Sequence, residues 1–217
     1  MTHIGHSEKV LVVRVFISVL ILIFSFQSWT KADDIRDFEI EGISIEKSAL
    51  NYFDVKALEK AKKEKYSYYY PENKFVKIAI ATNKNSQASL YIHSDIYEDL
   101  SITIKPKDKK YIIYAVSGRL FCKDNINDCF SLQNQVVNDL ADTLKHAKRN
   151  SYKDPHPSDI SNKSFVYGDD YYFENNGSIS ISVYDWSEKM NNERDWQDSL
   201  QIGVNTNIFD EFLWGLY

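Results

Sequence analysis

Several groupings in this sequence have the residue types that do acid/base or metal chemistry, and their spacing fails in each. Beyond residue 32 the chain carries three histidines, His93, His146 and His156, and histidine is the side chain that exchanges its proton near neutral pH. His93-Ser94-Asp95 has an imidazole and a carboxylate that could orient it, but its place after an alternating apolar stretch reads as a surface strand end. Asp154, His156 and Asp159 could meet at a metal, yet they share a free polar loop, 148–163, in which nothing fixes their geometry. There is no H-E-x-x-H, no G-x-S-x-G elbow and no glycine-rich phosphate cradle. Asp124-Asn-Ile-Asn-Asp128 superficially resembles a calcium loop, but Ile126 stands third and no spaced Glu follows, so it reads as a turn and helix cap. Glu39 with Glu41 and Asp169 with Asp170 are neighbours in sequence, whereas a glycosidase pair is defined by its separation in space. No residue is assigned a catalytic, cofactor-binding or metal-ligating role, and no cofactor is expected.

The remaining chemistry is aromatic. Tyr66, Tyr68, Tyr69 and Tyr70 precede Pro71 and could form a stacking platform for a sugar or peptide, extended by Tyr171-Tyr-Phe173, Trp186, Trp196 and Trp214. The competing reading is that these rings cover sheet edges and the outer core. The chain is rich in Lys, Asn, Ile, Tyr, Ser and Asp, so its 15 tyrosines need not mark a binding surface.

The elements that must position these residues follow a simple order. Ser44 is expected to cap a short helix with Ile45, Ala49, Leu50 and Phe53 inward, and Asp54 a second with Val55, Leu58 and Ala61 inward. The second helix carries Lys56, Lys60, Lys62, Lys63 and Lys65 outward; with Glu59 four residues before Lys63 this reads as a solvated face. Period-two runs at Val76–Ile80, Leu90–Ile92 and Leu100–Ile104, with a return over Tyr111–Val116, predict an antiparallel meander. A long helix is expected over about 128–147, with Phe130, Val136, Val137, Leu140, Leu144 and Ala147 as its apolar stripe. Then come strands at Phe165–Tyr167 and Tyr171–Phe173, a hairpin signal at Asn176-Gly177, strands at Ser178–Val183 and Leu200–Val204, and a C-terminal helix capped by Thr206 or Asn207 with Ile208, Phe209, Phe212, Leu213 and Leu216 apolar. Helices segregated from runs of strands mean an α+β fold, an antiparallel meander sheet with helices packed on one face. The order also suggests two degenerate helix-plus-strands units, 33–118 and 119–217, although no residue-level repeat accompanies them.

The N-terminus speaks about location. Lys9 and Arg14 precede the apolar run Val15–Phe26, and Thr30 and Ala32 precede the acidic Asp33-Asp34. This is the order of a secretory signal, giving residues 1–32 as a signal peptide and 33–217 as a single α+β domain. The alternative is a retained anchor over residues 10–26, at the short limit for a span and interrupted by Arg14. Cleavage would leave no stable membrane span. It would also remove a net +2 from a chain of net charge −5, leaving −7. A domain of that charge repels phosphate backbones, which argues against nucleic acid as a partner. Export gives Cys122 and Cys129 a meaning: in an oxidising compartment they are expected to form a structural disulfide across a turn-rich spacer. The spacing is wrong for a C-x-x-C redox motif.

Phe38-Glu-Ile-Glu-Gly-Ile-Ser-Ile-Glu-Lys-Ser-Ala-Leu-Asn-Tyr-Phe53 resembles the opening of small exported bacterial proteins of unknown function. In those, Gly-Ile-Ser-Ile-Gly-x-Ser-x-Leu follows the signal peptide; here Glu46 replaces the second Gly. Ile113-Tyr-Ala-Val-Ser-Gly118 with Cys129 beyond is similar to their middle. More distantly, a Gly-Ile-Ser start before a meander is similar to β-lactamase-inhibitor-protein-like repeats, extracytoplasmic helix-plus-four-strand units that bind other proteins. These resemblances imply location and fold. The resulting expectation is an exported, non-enzymatic protein that binds an unknown protein or envelope component through an aromatic-rich surface. A small envelope hydrolase using carboxylates or His93, and a single-pass anchored domain, are the alternatives.

Overall fold

The computed structural model describes residues 34–83, 88–122, 125–174 and 177–216. The expected signal peptide and anchor lie outside the described residues, as does Asn176 of the hairpin. A short hairpin, β1 (Glu39–Ile40) and β2 (Ile43–Ser44), precedes helix α1 (Val55–Ala61). Four strands follow: β3 (Tyr68–Tyr69), β4 (Val76–Ile80), β5 (Asp99–Ile104) and β6 (Ile113–Phe121). Helix α2 (Ile126–Leu140) leads to β7 (Lys148–Pro155), β8 (Phe165–Phe173) and β9 (Gly177–Asp185). Helix α3 (Glu188–Arg194), β10 (Ser199–Asn205) and helix α4 (Asn207–Trp214) complete the chain.

Strands β3 to β10 form one antiparallel sheet in the order β3-β4-β5-β6-β10-β9-β8-β7. Each helix α1 and α2 is thus followed by four strands, and the last strands of the two sets, β6 and β10, pair at the centre. The 118/119 division falls inside β6. The fold is α+β with a large meander sheet, as the segregation of helices from strand runs implies.

Strand alternation gives the sheet two unlike faces. Val76, Ile78 and Ile80 lie opposite Ile104, Ile102 and Leu100, and the same face continues through Val116, Val204, Ile179 and Tyr171. This packed face carries the main core, closed by Ile35, Phe38, Ile43 and Ile45, by Leu58 and Ala61 of α1, and by Val136 and Val137 of α2. Gln133 of α2 reaches the sheet itself, donating to the carbonyls of Tyr167 (2.8 Å) and Ile181 (2.9 Å). The other face meets α4 at one corner, where Phe209 packs with Phe75 and Ala115. The core therefore lies on one side, and α4 alone of the four helices contributes to the second cluster.

Some sequence expectations need correction. Ser44 does not cap a helix: it is buried in β2, donating to Glu39 (2.6 Å), and Ser48 caps a 3-10 turn at Ala49–Asn51 by accepting from Leu50 N. Asp54 caps α1 through Ala57 N (2.9 Å), but Val55, like Ile208 of α4, is exposed. Helix α2 stops at Leu140, and Leu144 reaches the core from turns instead. Leu90–Ile92 makes only a bridge, Ala81 with Tyr91. The larger miss is 148–155, read as free loop and in fact edge strand β7. Its side chains are nearly all exposed, so no apolar alternation announces it, and Lys, Arg and Pro are what an edge strand tolerates. Helix α3 had no expectation; Ser187 caps it through Met190 N.

Candidate binding face

The face opposite the main core is built from small and polar residues in register. One row across β5, β6, β10, β9, β8 and β7 reads Ser101, Ser117, Gly203, Ser180, Asp170, Asn150. The row beside it reads Asp99, Arg119, Gln201, Ser182, Gly168, Tyr152, and the next Thr103, Ala115, Asn205, Ser178, Tyr172, Lys148. Hydroxyls link the floor: Ser101 with Ser117 at 2.8 Å and Ser180 with Ser182 at 3.1 Å. Gly168 is required here, because a Cβ would run into the Tyr152 ring that lies over it.

The charges on this face are poorly matched by the protein itself. Among the described residues, the buried side-chain atoms without a hydrogen-bond partner are Arg119 Nε, Asp170 Oδ1 and Asp210 Oδ2. Arg119 and Asp170 stand on this face, and Asp210 hangs over it from α4, accepting from Ser178 Oγ at 3.1 Å. Arg119 gives one N–H to Gln201 Oε1 (2.9 Å), and Asp170 accepts from the Tyr172 hydroxyl (3.1 Å). Burial pushes the Asp210 carboxyl up to about 6, with the Asp170 charge adding to the rise against hydrogen bonds from Ser178 and Asn205. Burial raises Asp170 as well, against the Ser180 and Tyr172 hydroxyls. On the other half of the sheet, burial and the Arg119 charge bring the Lys77 ammonium down to about 8, with Asp99 opposing. Unmatched buried polar groups of this kind call for an explanation in a native fold.

Aromatic rings stand at the corners of this face. Tyr68 packs edge-on to Tyr70 (4.9 Å), and Tyr70 to Phe209 (5.4 Å) and Phe212 (5.7 Å). Tyr184 stacks with Trp186 (5.9 Å), which meets Trp196 at 4.5 Å. Tyr172 and Trp214 meet at 5.7 Å beside a cavity of 390 Å³ lined by Lys148, Tyr172, Gly177, Asn207, Asp210 and Trp214, among others. Of the proposed tyrosine surface, Tyr66, Tyr68 and Tyr69 are exposed, while Tyr70 is packed into the second cluster. The tryptophans do not extend that tyrosine run into one platform; they form separate groups.

The acid/base candidates are dispersed. His93 and Asp95 meet at 3.2 Å but are 68% and 67% exposed. Glu39 and Glu41 accept from Ser44 and Ser94. Asp169 and Asp170 point to opposite faces, Asp169 pairing with Arg149 (2.7 Å). The 156–164 segment is not free: His156 packs on Trp186 at 4.4 Å, and buried Asp159 accepts from Ser161, Ser164 and Ser187. Among the described residues no cluster of three metal-ligating side chains occurs. Cys122 and Cys129 are disulfide-bonded, with Cα atoms 5.8 Å apart. Sequence reasoning missed Arg119, an unremarkable polar position of β6, and Asp210. An acidic residue in the first turn of a helix is ordinary, so nothing in the sequence distinguished it.

No protein-family model, curated protein or solved structure matches this chain.

Proposed function

We propose that this chain is an exported, non-catalytic binding protein of the cell envelope, and that the polar face of its sheet docks a partner protein. The observation that carries the reading is the presence of three unpartnered buried polar atoms, on Arg119, Asp170 and Asp210, along that one face. These atoms have almost no accessible surface, so a partner would reach them only where docking displaces the side chains that cover them. Burying such groups without partners costs about 1–3 kcal/mol each, which a binding surface recovers on association. The corner aromatics, with Tyr68 and Trp214 exposed, offer rings of the kind that dominate interface energetics. The disulfide is compatible with an oxidising location, where such bonds persist, and no helix among the described residues is long and apolar enough to cross a membrane.

The test is site-specific photo-cross-linking in the native host. A cross-linker at Asn150 or Gln201, on the polar face, should trap one defined partner; the same group at Asp139, on the exposed side of α2, should not. Equal trapping from all three positions would reject this face as the docking surface. The rival reading, a small envelope hydrolase, would have to work from Asp170 and Asp210, whose raised pKa values are the pattern of acid/base carboxylates. Turnover of an envelope polymer that disappears in Asp210→Asn would establish it instead.

A further inference from the structure

The charge of this chain is segregated. Residues 54–77 and 105–111 hold eleven lysines against five carboxylates, a net +6 in a chain whose net charge is −5. The fold brings these two segments together. Lys62, at the end of α1, donates to the Pro106 carbonyl (2.9 Å), and the Tyr111 hydroxyl donates to Glu59 of α1 (2.6 Å). The exposed lysines at the helix end, Lys60, Lys63 and Lys65, therefore stand beside those of the β5–β6 turn, Lys107, Lys109 and Lys110. None of the six forms an ion pair among the described residues. The carboxylates between them are engaged elsewhere: Glu59 with Lys62 (2.7 Å), Glu64 with Ser89, and Asp108 with the backbone N–H groups of Lys110 and Ile112. The helix lysines alone read as a solvated face; the turn lysines join them only through the tertiary contact. Two exposed rings border the patch. Tyr66 is 63% exposed, with the Lys65 ammonium 4.6 Å from its centroid, and Tyr69 is 42% exposed, opposite Val76 on the packed face that α1 covers.

We propose that this basic patch is a membrane-docking surface, seated on the anionic phospholipid headgroups of an envelope bilayer. Its cations are all lysines. Lysine is a hydrated point charge on a flexible stem and lacks the planar fork that reads a single carboxylate or phosphate bidentately, so a group of them suits a diffuse layer of negative charge. Near an anionic bilayer each such lysine contributes without needing a fixed partner. The tyrosines supply the second element, amphipathic rings that settle at headgroup level; a soluble polyanion has no apolar interior to receive them. Helix α1 lies on the packed face of the sheet, so docking through its outer end leaves the polar face, on the opposite side, open to a partner. The inference goes beyond the partner-docking reading and does not depend on it.

The experiment is vesicle flotation, at physiological ionic strength, of the chain from residue 33 onward, which holds the whole eight-stranded sheet and both hydrophobic clusters. The expected result is flotation with vesicles of mixed phosphatidylglycerol and phosphatidylcholine and none with phosphatidylcholine alone. Lys63→Gln, Lys107→Gln and Lys109→Gln together should weaken binding at least about twentyfold. Lys145→Gln, Lys163→Gln and Lys189→Gln make the same change in net charge at exposed positions elsewhere; they should alter binding less than about threefold, because salt screens charges beyond about 8 Å. Tyr66→Ala with Tyr69→Ala should weaken it at least about threefold. Every substituted side chain is exposed, and urea unfolding checks that each variant keeps its fold. No flotation, equal flotation with both vesicle types, or equal loss in the two lysine triples overturns the proposal. Binding that survives loss of the two rings unchanged and is displaced by dextran sulfate also overturns it, by making the partner a soluble polyanion. All of these outcomes leave cross-linking from Asn150 unaffected.

Discussion

Replacing Asp210 by Asn should make stability less dependent on pH, and the size of the effect follows from the burial of that carboxyl. Its folded-state pKa stands at about 6 against an ordinary 3.8, close to two units, or about 3 kcal/mol at 1.36 kcal/mol per unit. The sign is set by which state holds the proton. Below pH 4 both folded and unfolded chains are protonated at this site, and it has no influence. Between pH 4 and 6 the folded chain keeps a proton that the unfolded chain has released, so stability falls as pH rises. Above pH 6 the loss is complete. Asparagine cannot ionise and still accepts from Ser178, so its own packing cost, including a buried N–H where Oδ2 stood, is the same at all pH values. The quantity to measure is therefore a double difference: the stability of Asp210→Asn minus that of the natural chain at pH 8, less the same difference at pH 4. Because the unfolded carboxyl is already partly ionised at pH 4, urea unfolding with the disulfide intact should return about 2.5 kcal/mol in favour of the variant. A double difference near zero would refute the claim that Asp210 is buried without a counter-charge.

The remaining expectations are simpler. Removing the Cys122–Cys129 bond by a double Ser substitution should cost about 2.5 kcal/mol from loop-closure entropy alone, measured by urea unfolding, and the natural protein denatured without reductant should take up no thiol label. Gly168→Ala forces a Cβ into the Tyr152 ring; an overpacking loss of about 1–3 kcal/mol is expected in thermal unfolding, and an unchanged melting temperature would show that the ring does not lie over this glycine. Tyr70→Ala should cost about 2–3 kcal/mol, whereas Tyr66→Ala should stay within about 0.5 kcal/mol, so equal effects would contradict the packing of Tyr70 against Phe209. N-terminal sequencing of the protein from its native host should begin near Asp33, and an intact Met1 on a membrane-pelleted chain would select the anchor instead.

The sequence by itself determined the features that depend on local pattern. Alternation at Val76–Ile80, Leu100–Ile104 and Ser178–Val183 located strands because the apolar residues of each recur on the face that packs on the main core, and Asp54 and Thr206 marked helix starts because an oxygen there satisfies an otherwise open backbone N–H. The cysteine pairing was legible because its spacer is short and turn-rich. What depends on distant residues meeting was not legible. Edge strand β7 carries no apolar period, since its outer side faces solvent and it is held by Arg149 and Ser151 on Asp169 and by Tyr152 over Gly168. Asp169 and Asp170 looked like a pair in the sequence, yet strand alternation sends them to opposite faces. The carboxylate whose charge Asp210 senses is Asp170, forty positions away on another element. Only the tertiary structure decided that the polar residues of seven strands share one face, because register sums contributions that no single window of sequence contains.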